Sequence, residues 1–220
     1  MKLLYDFPKA ATFGRMVAKN KIYEHASPNA KVKELFVQEV EKITWAYKLS
    51  PGTINIPAGE DVQELQIFVI TLRTETLAQE VLQTIDKAIP SPILFQLNCN
   101  GKSRYMAAYK RVSEGDKNKW VISSYFETDW ITDNSEKTEL PIVLNMGVLY
   151  QTILKAIIPL PSRDTESLDG LVARVDLLRT KEREADKVGA RIKKEKQFNR
   201  RVELNRSLNE LKAEIDDLKH

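Results

Sequence analysis

At 220 residues, with 34 Lys or Arg against 31 Asp or Glu, the chain has a formal net charge of +3 and 30% charged side chains. A field that weak excludes a uniformly basic surface, so any contact with a polyanion has to come from a local cluster. The single cysteine, Cys99, excludes an internal disulfide and a thiolate cluster, and no stretch approaches the roughly eighteen apolar residues of a membrane span, so a cytoplasmic protein with no membrane association is expected.

Taken in chain order, Met1 to Pro8 lacks the apolar run of a signal peptide, and Pro8 is suited to the first turn of a short helix reaching about Lys19. Ser27-Pro28 reads as the start of the next helix. From Lys31 onward, Val32, Leu35, Phe36, Val40, Ile43 and Tyr47 recur at three- and four-residue intervals, which predicts one amphipathic helix stopped by Ser50-Pro51-Gly52. Leu65 to Leu72 is almost continuously apolar or β-branched, as in a strand covered on both faces. Leu77, Val81, Leu82 and Ile85 then take helical spacing up to Pro90-Ser91-Pro92, and Ile93 to Leu97 is a second strand. Asn100-Gly101 is a type I′ hairpin signal, because both residues accept a positive φ. Lys102 to Val112 and Lys119 to Phe126 read as two more strands joined by the polar loop Ser113 to Asn118. Glu127 to Glu139 is acidic and irregular, a helix begins near Asn145, and Pro159-Leu160-Pro161 closes the globular part.

Beyond Asp164 there is no proline and only two glycines, Gly170 and Gly189, so a long helix is predicted, roughly 80 Å if straight. Leu171, Val175, Leu178 and Ala185 fit one heptad register, and Leu204, Leu208, Leu211, Ile215 and Leu218 fit another. The registers do not connect, and a stutter, a kink at Gly189 or a helical hairpin would each absorb the mismatch. The fold class expected is therefore α+β: residues 1–160 as a four-stranded mixed sheet (strand-helix-strand-hairpin-strand) with covering helices, and residues 161–220 as a long C-terminal coiled-coil-type helix.

Five separated motifs carry a resemblance: Lys21-Ile22-Tyr23-Glu24, Ile43 to Pro51, Val62 to Gln66, Ile85 to Pro90, and Lys193 to Arg201. Together they resemble an uncharacterised prokaryotic domain family of about this length. Its members look like accessory companions of helicases and methyltransferases in restriction-modification-type gene neighbourhoods. The resemblance implies a setting of DNA processing and phage defence, with helicase or methyltransferase partners, and carries no catalytic residue over.

Enzymatic motifs are incomplete. A restriction-type nuclease needs an acid and a separate Glu-x-Lys across adjoining strands to hold Mg²⁺ and polarise water. Here Asp61 is followed by Glu64-Leu65-Gln66, without the lysine, and inward-facing Glu64 paired with a basic residue is the structural alternative. Glu127, Asp129 and Asp133 form a second acidic group that reads as solvated loop carboxylates. His25 and His220 lack a nucleophile or carboxylate at a useful spacing, and no phosphate-cradling glycine loop occurs. No cofactor, metal or catalytic residue is expected.

Two binding signals stand out. Lys193, Lys194, Lys196, Arg200 and Arg201 form a basic band in the tail, which would bind phosphates with steep salt dependence or, alternatively, flank a helix–helix interface. In the sheet, alternation puts Lys102, Arg104 and Lys110 on one face and Tyr105, Tyr109 and Arg111 on the other, a pattern suited to single-strand binding if that face is open. The seam Leu204, Leu208, Leu211, Ile215 and Leu218 calls for a partner, either a second copy or another helix. The primary expectation is a non-catalytic accessory subunit associating through its C-terminal helix. The alternative is nucleic-acid binding through the basic band, helped by Arg104 and Lys110, and a divergent metal-dependent nuclease comes third.

Overall fold

The computed structural model describes residues 4–113 and 115–220, with the side chains of residues 116–119 left out. Met1 to Leu3 and part of the expected Ser113 to Asn118 loop therefore lie outside the described residues. The chain divides into two compact units, Met1–Pro159 and Leu160–His220.

The first unit contains, in order, β1 (Tyr5–Asp6), β2 (Thr12–Met16), α1 (Lys19–Ala26), α2 (Ala30–Glu39), β3 (Val40–Leu49), α3 (Pro51–Ile54), β4 (Leu65–Leu72), α4 (Gln79–Ala88), β5 (Ile93–Cys99), β6 (Lys102–Ser113), β7 (Asp116–Glu127), β8 (Ile131–Thr132), β9 (Thr138–Glu139) and α5 (Met146–Ile157). The main sheet has seven strands, not four, in the order β2-β3-β4-β5-β6-β7 with β8 beside β7 on β6. The four expected strands, β4 to β7, are contiguous and run to one edge of it. β4 and β5 run parallel through the α4 crossover, and the other pairs are antiparallel. Short β1 and β9 pair separately.

Of the three extra strands, β2 and β3 come from segments read as helix and β8 from the segment read as irregular. Residues 12–16 form β2, and the single helix expected from Lys31 to Tyr47 stops at Glu39 and continues as β3. The register of β3 against β4 shifts between Val40 and Lys42 and again between Trp45 and Tyr47. The first bulge inserts an extra residue, so Val40 and Ile43, three apart, share the face of Leu72 and Ile70, while Leu49, beyond the second bulge and paired with Leu65, is buried on the other face. Ser27 is likewise no N-cap: it ends α1 with φ 46, and Asn29 caps α2, its Oδ1 accepting the Val32 N–H at 3.0 Å.

Both faces of the sheet are covered. On one side, α4 packs with α1 and α2 over Phe68, Ile70, Phe95, Leu97 and Cys99. The Glu39 carboxylate, at the end of α2, accepts the Ala78 N–H at the start of α4 (2.7 Å), a favourable charge at a helix N-terminus. On the other side α5, capped by Asn145, sets Tyr150 against β6. There the register shifts between Ala108 and Lys110, and the Tyr150 hydroxyl accepts the Lys110 N–H (2.7 Å) while donating to the Ala108 carbonyl (3.0 Å). Tyr150→Phe should cost about 1–3 kcal/mol in equilibrium unfolding, because it leaves two buried backbone groups unpaired.

The second unit is a long helix, α6 (Leu168–Lys194), followed by α7 (Phe198–Lys219). Of the three ways to reconcile the heptad registers, the hairpin is the one adopted, and Gly189 lies inside α6 away from the break. The helices are antiparallel, with Lys181 Nζ 2.6 Å from Glu214 and Lys219 Nζ 3.1 Å from Glu182. Arg174 gathers the ends: it donates to both oxygens of Glu166 (2.8 Å each), to the Pro161 carbonyl (2.7 Å) and to the Leu218 carbonyl (2.7 Å). The Arg174 hydrogen bonds hold the Glu166 carboxyl down at about 2 against its usual 4.5. A depressed carboxyl adds stability that is complete above its unfolded value and is lost as pH falls through the folded one. Circular-dichroism titration should therefore find the hairpin weakening between about pH 4.5 and 2, and Glu166→Gln should flatten that limb.

Candidate nucleic-acid interface

The turn of the hairpin is made by charge and by a gap in the apolar pattern. Arg191, Lys193, Lys194 and Lys196 crowd like charges at neighbouring helical positions, and no apolar side chain lies between Ile192 and Phe198 to pack inward. The backbone leaves the helical region at Glu195 (ψ 127) and re-enters after Gln197 (ψ 122). Three residues thus reverse the chain.

This reversal brings Lys193, Lys194, Lys196, Arg200 and Arg201 together at one end of the hairpin, all exposed. Glu195 is the acid among them. It accepts the Gln197 N–H at 2.9 Å and lies 3.9 Å from Arg200 Nε. Among the described residues, Lys193, Lys194, Lys196 and Arg201 form no ion pair. Phe198 is 77% exposed and Val202 52% exposed in the same cluster. The seam residues Leu204, Leu208, Leu211, Ile215 and Leu218 are half-buried along α7.

The cationic sheet face expected beside the tyrosines is not assembled. Lys110 is on the anticipated face, but the C-terminal end of α4 closes over it and leaves its side chain 0% exposed. Its ammonium lies 2.7 Å from Asp86 Oδ1 and donates to the carbonyls of Asp86 (3.2 Å), Ile89 (3.0 Å) and Ser91 (3.0 Å). Tyr125 donates to the other Asp86 oxygen. Burial pushes Asp86 up and Lys110 down, each opposed by the charge of the other, and burial followed by the Asp86 charge raises Tyr125, which remains a donor. Arg104 is engaged as well: it is 2.8 Å from Glu127 and stacks over Trp130 at 4.6 Å.

The acidic candidates are similarly occupied. Glu64 pairs with Lys48 at 2.6 Å and accepts from Gln66 (2.7 Å) and Ser91 (3.0 Å). Partial burial raises the Glu64 carboxyl, and these hydrogen bonds outweigh it and set it below the ordinary value. Glu127 holds Arg104, and Asp133 accepts the Ser103 hydroxyl at 2.6 Å. No group of three or more His, Cys, Asp or Glu among the described residues is placed to hold a metal ion. His25 lies in the last turn of α1, and His220 is 3.8 Å from Asp216.

A polar cleft of about 120 Å³ at the carboxyl end of β5 has no counterpart in the sequence expectations. Gln96, Asn98, Ser103 and Tyr105 line it from the sheet, with Asp133 and Lys137 opposite. Its signal was present as two carboxamides at alternate positions of an otherwise apolar strand. Ser103 lies 2.9 Å from Asn98 Oδ1 and links the first hairpin to the segment after β8.

Fold and site define an α+β protein with helices on both faces of its main sheet and a helical hairpin whose turn gathers five exposed cations. The chain belongs to the family described as Domain of unknown function (DUF4391), whose model matches residues 5–215. No curated protein and no solved structure matches it. No helix among the described residues is long and apolar enough to cross a membrane.

Proposed function

We propose that this protein is an accessory subunit of a DNA-processing assembly and binds nucleic-acid phosphates through the tip of its C-terminal hairpin. The observation that carries this reading is the gathering of Lys193, Lys194, Lys196, Arg200 and Arg201 around one turn, four of them without a carboxylate partner among the described residues. Arg200 and Arg201 add a local cost. They sit in the first turn of α7, where the helix dipole disfavours positive charge, and that turn has neither an acid nor a side-chain cap. A phosphate at that position relieves the repulsion and takes up the free N–H groups. A local electrostatic rule broken without internal compensation is characteristic of a binding surface.

The resemblance to companions of helicases and methyltransferases supports a nucleic-acid setting and the accessory role. The test is retention of the full chain on immobilised DNA across a salt series. Retention that falls steeply with salt supports the proposal; none at low salt rejects it.

A further inference from the structure

The basic tip contains one feature that phosphate binding leaves unused. Phe198 opens α7 at 77% exposure, and Val202, one turn later, is 52% exposed. A large aromatic at the outer end of a hairpin adds nothing to the packing between the helices. It is also set among five cations, an unfavourable neighbourhood for docking an apolar or basic protein surface, whereas a polyanion is complementary to it.

We infer that Phe198 is a stacking platform and that the tip selects single-stranded nucleic acid over duplex, an inference that rests on the phosphate-binding reading above. A single strand offers unstacked base faces alongside its phosphates, and aromatic side chains take up such faces with little regard to sequence. A duplex offers the same phosphates, but its bases are stacked on one another, so Phe198 finds no free face without prising a step apart. Lys194, Lys196, Arg200 and Arg201 draw the strand along the tip, and Phe198 holds a base between their phosphate contacts. The specificity lies in a ring and the attraction in the charges, so the two are separable by mutation.

The experiment measures affinity of the full chain for a DNA single strand and a duplex of equal length, at several salt concentrations, for the wild type, Phe198→Ala, Phe198→Leu and Phe198→Trp. Because Phe198 is on the surface, the fold is expected to survive each change, as circular dichroism verifies. Phe198→Ala and Phe198→Leu should weaken single-strand binding about fivefold or more with an unchanged salt slope, should leave duplex binding unaltered, and Phe198→Trp should retain the preference. Equal losses on both forms, or unchanged single-strand affinity in Phe198→Ala, overturn the stacking role and leave phosphate binding intact. Wild-type chain that binds neither form at low salt overturns both. A change of molecular mass in Phe198→Ala without loss of affinity assigns the ring to a protein contact and rejects the inference.

Discussion

Lys110→Met is expected to lower the unfolding free energy by roughly 3–5 kcal/mol, the range for removing one partner of a buried ion pair. The substitution keeps the apolar length of the side chain, so little of the loss is a cavity. What remains is the Asp86 carboxylate, 1% exposed, facing Tyr125 alone, with the carbonyls of Ile89 and Ser91 stripped of their donor. The double variant Lys110→Met/Asp86→Leu should recover a substantial part of the deficit, because it removes the orphaned charge together with its cause. Urea titration of the three variants gives the coupling. A loss below about 1 kcal/mol in the single variant would refute the idea that this pair fastens α4 to β6 and β7.

Reversing Lys193, Lys194, Lys196, Arg200 and Arg201 to glutamate should abolish salt-sensitive DNA retention. Five phosphate contacts on a single strand correspond to a slope of roughly −3 to −4 in log affinity against log salt, and each alanine substitution should reduce that slope by about 0.7. None of the five is buried, and among the described residues only Arg200 of the five approaches a carboxylate, at 3.9 Å, so the reversed chain is expected to keep its fold. A reversed variant that binds like the wild type would move the interface elsewhere.

How much of this was legible in the sequence depended on whether local pattern and tertiary context agreed. β4, α4, β5 and the Asn100-Gly101 hairpin carried strong local signals, and the turn has φ 50 and 71 as its residues demand. Asn145 was found as a helix start for the same reason. β3 was missed because its two bulges displace apolar residues into helix-like spacing, so Val40 and Ile43 look like successive turns of one helix. The position of Lys110 on its strand was readable, but its burial was not, because that depends on where the end of α4 lands. Likewise, the basic band was visible as a run, whereas its concentration around a turn required the chain to reverse between Lys194 and Phe198. The seam from Leu204 to Leu218 called for a partner surface, and α6 now half-covers it within the chain.

The three-residue reversal also concentrates positive charge within the C-terminal unit. Residues 193–201 hold five cations and one acid, a formal +4, so a total of +3 leaves −1 for all the rest. On the phosphate-binding reading, a nucleic acid is expected to be drawn to this turn more strongly than to the remainder of the chain. Encounters are then expected to be steered toward the turn before contact forms, and at physiological ionic strength such steering acts over about 8 Å. Capture speed, more than residence time, is where salt should act first.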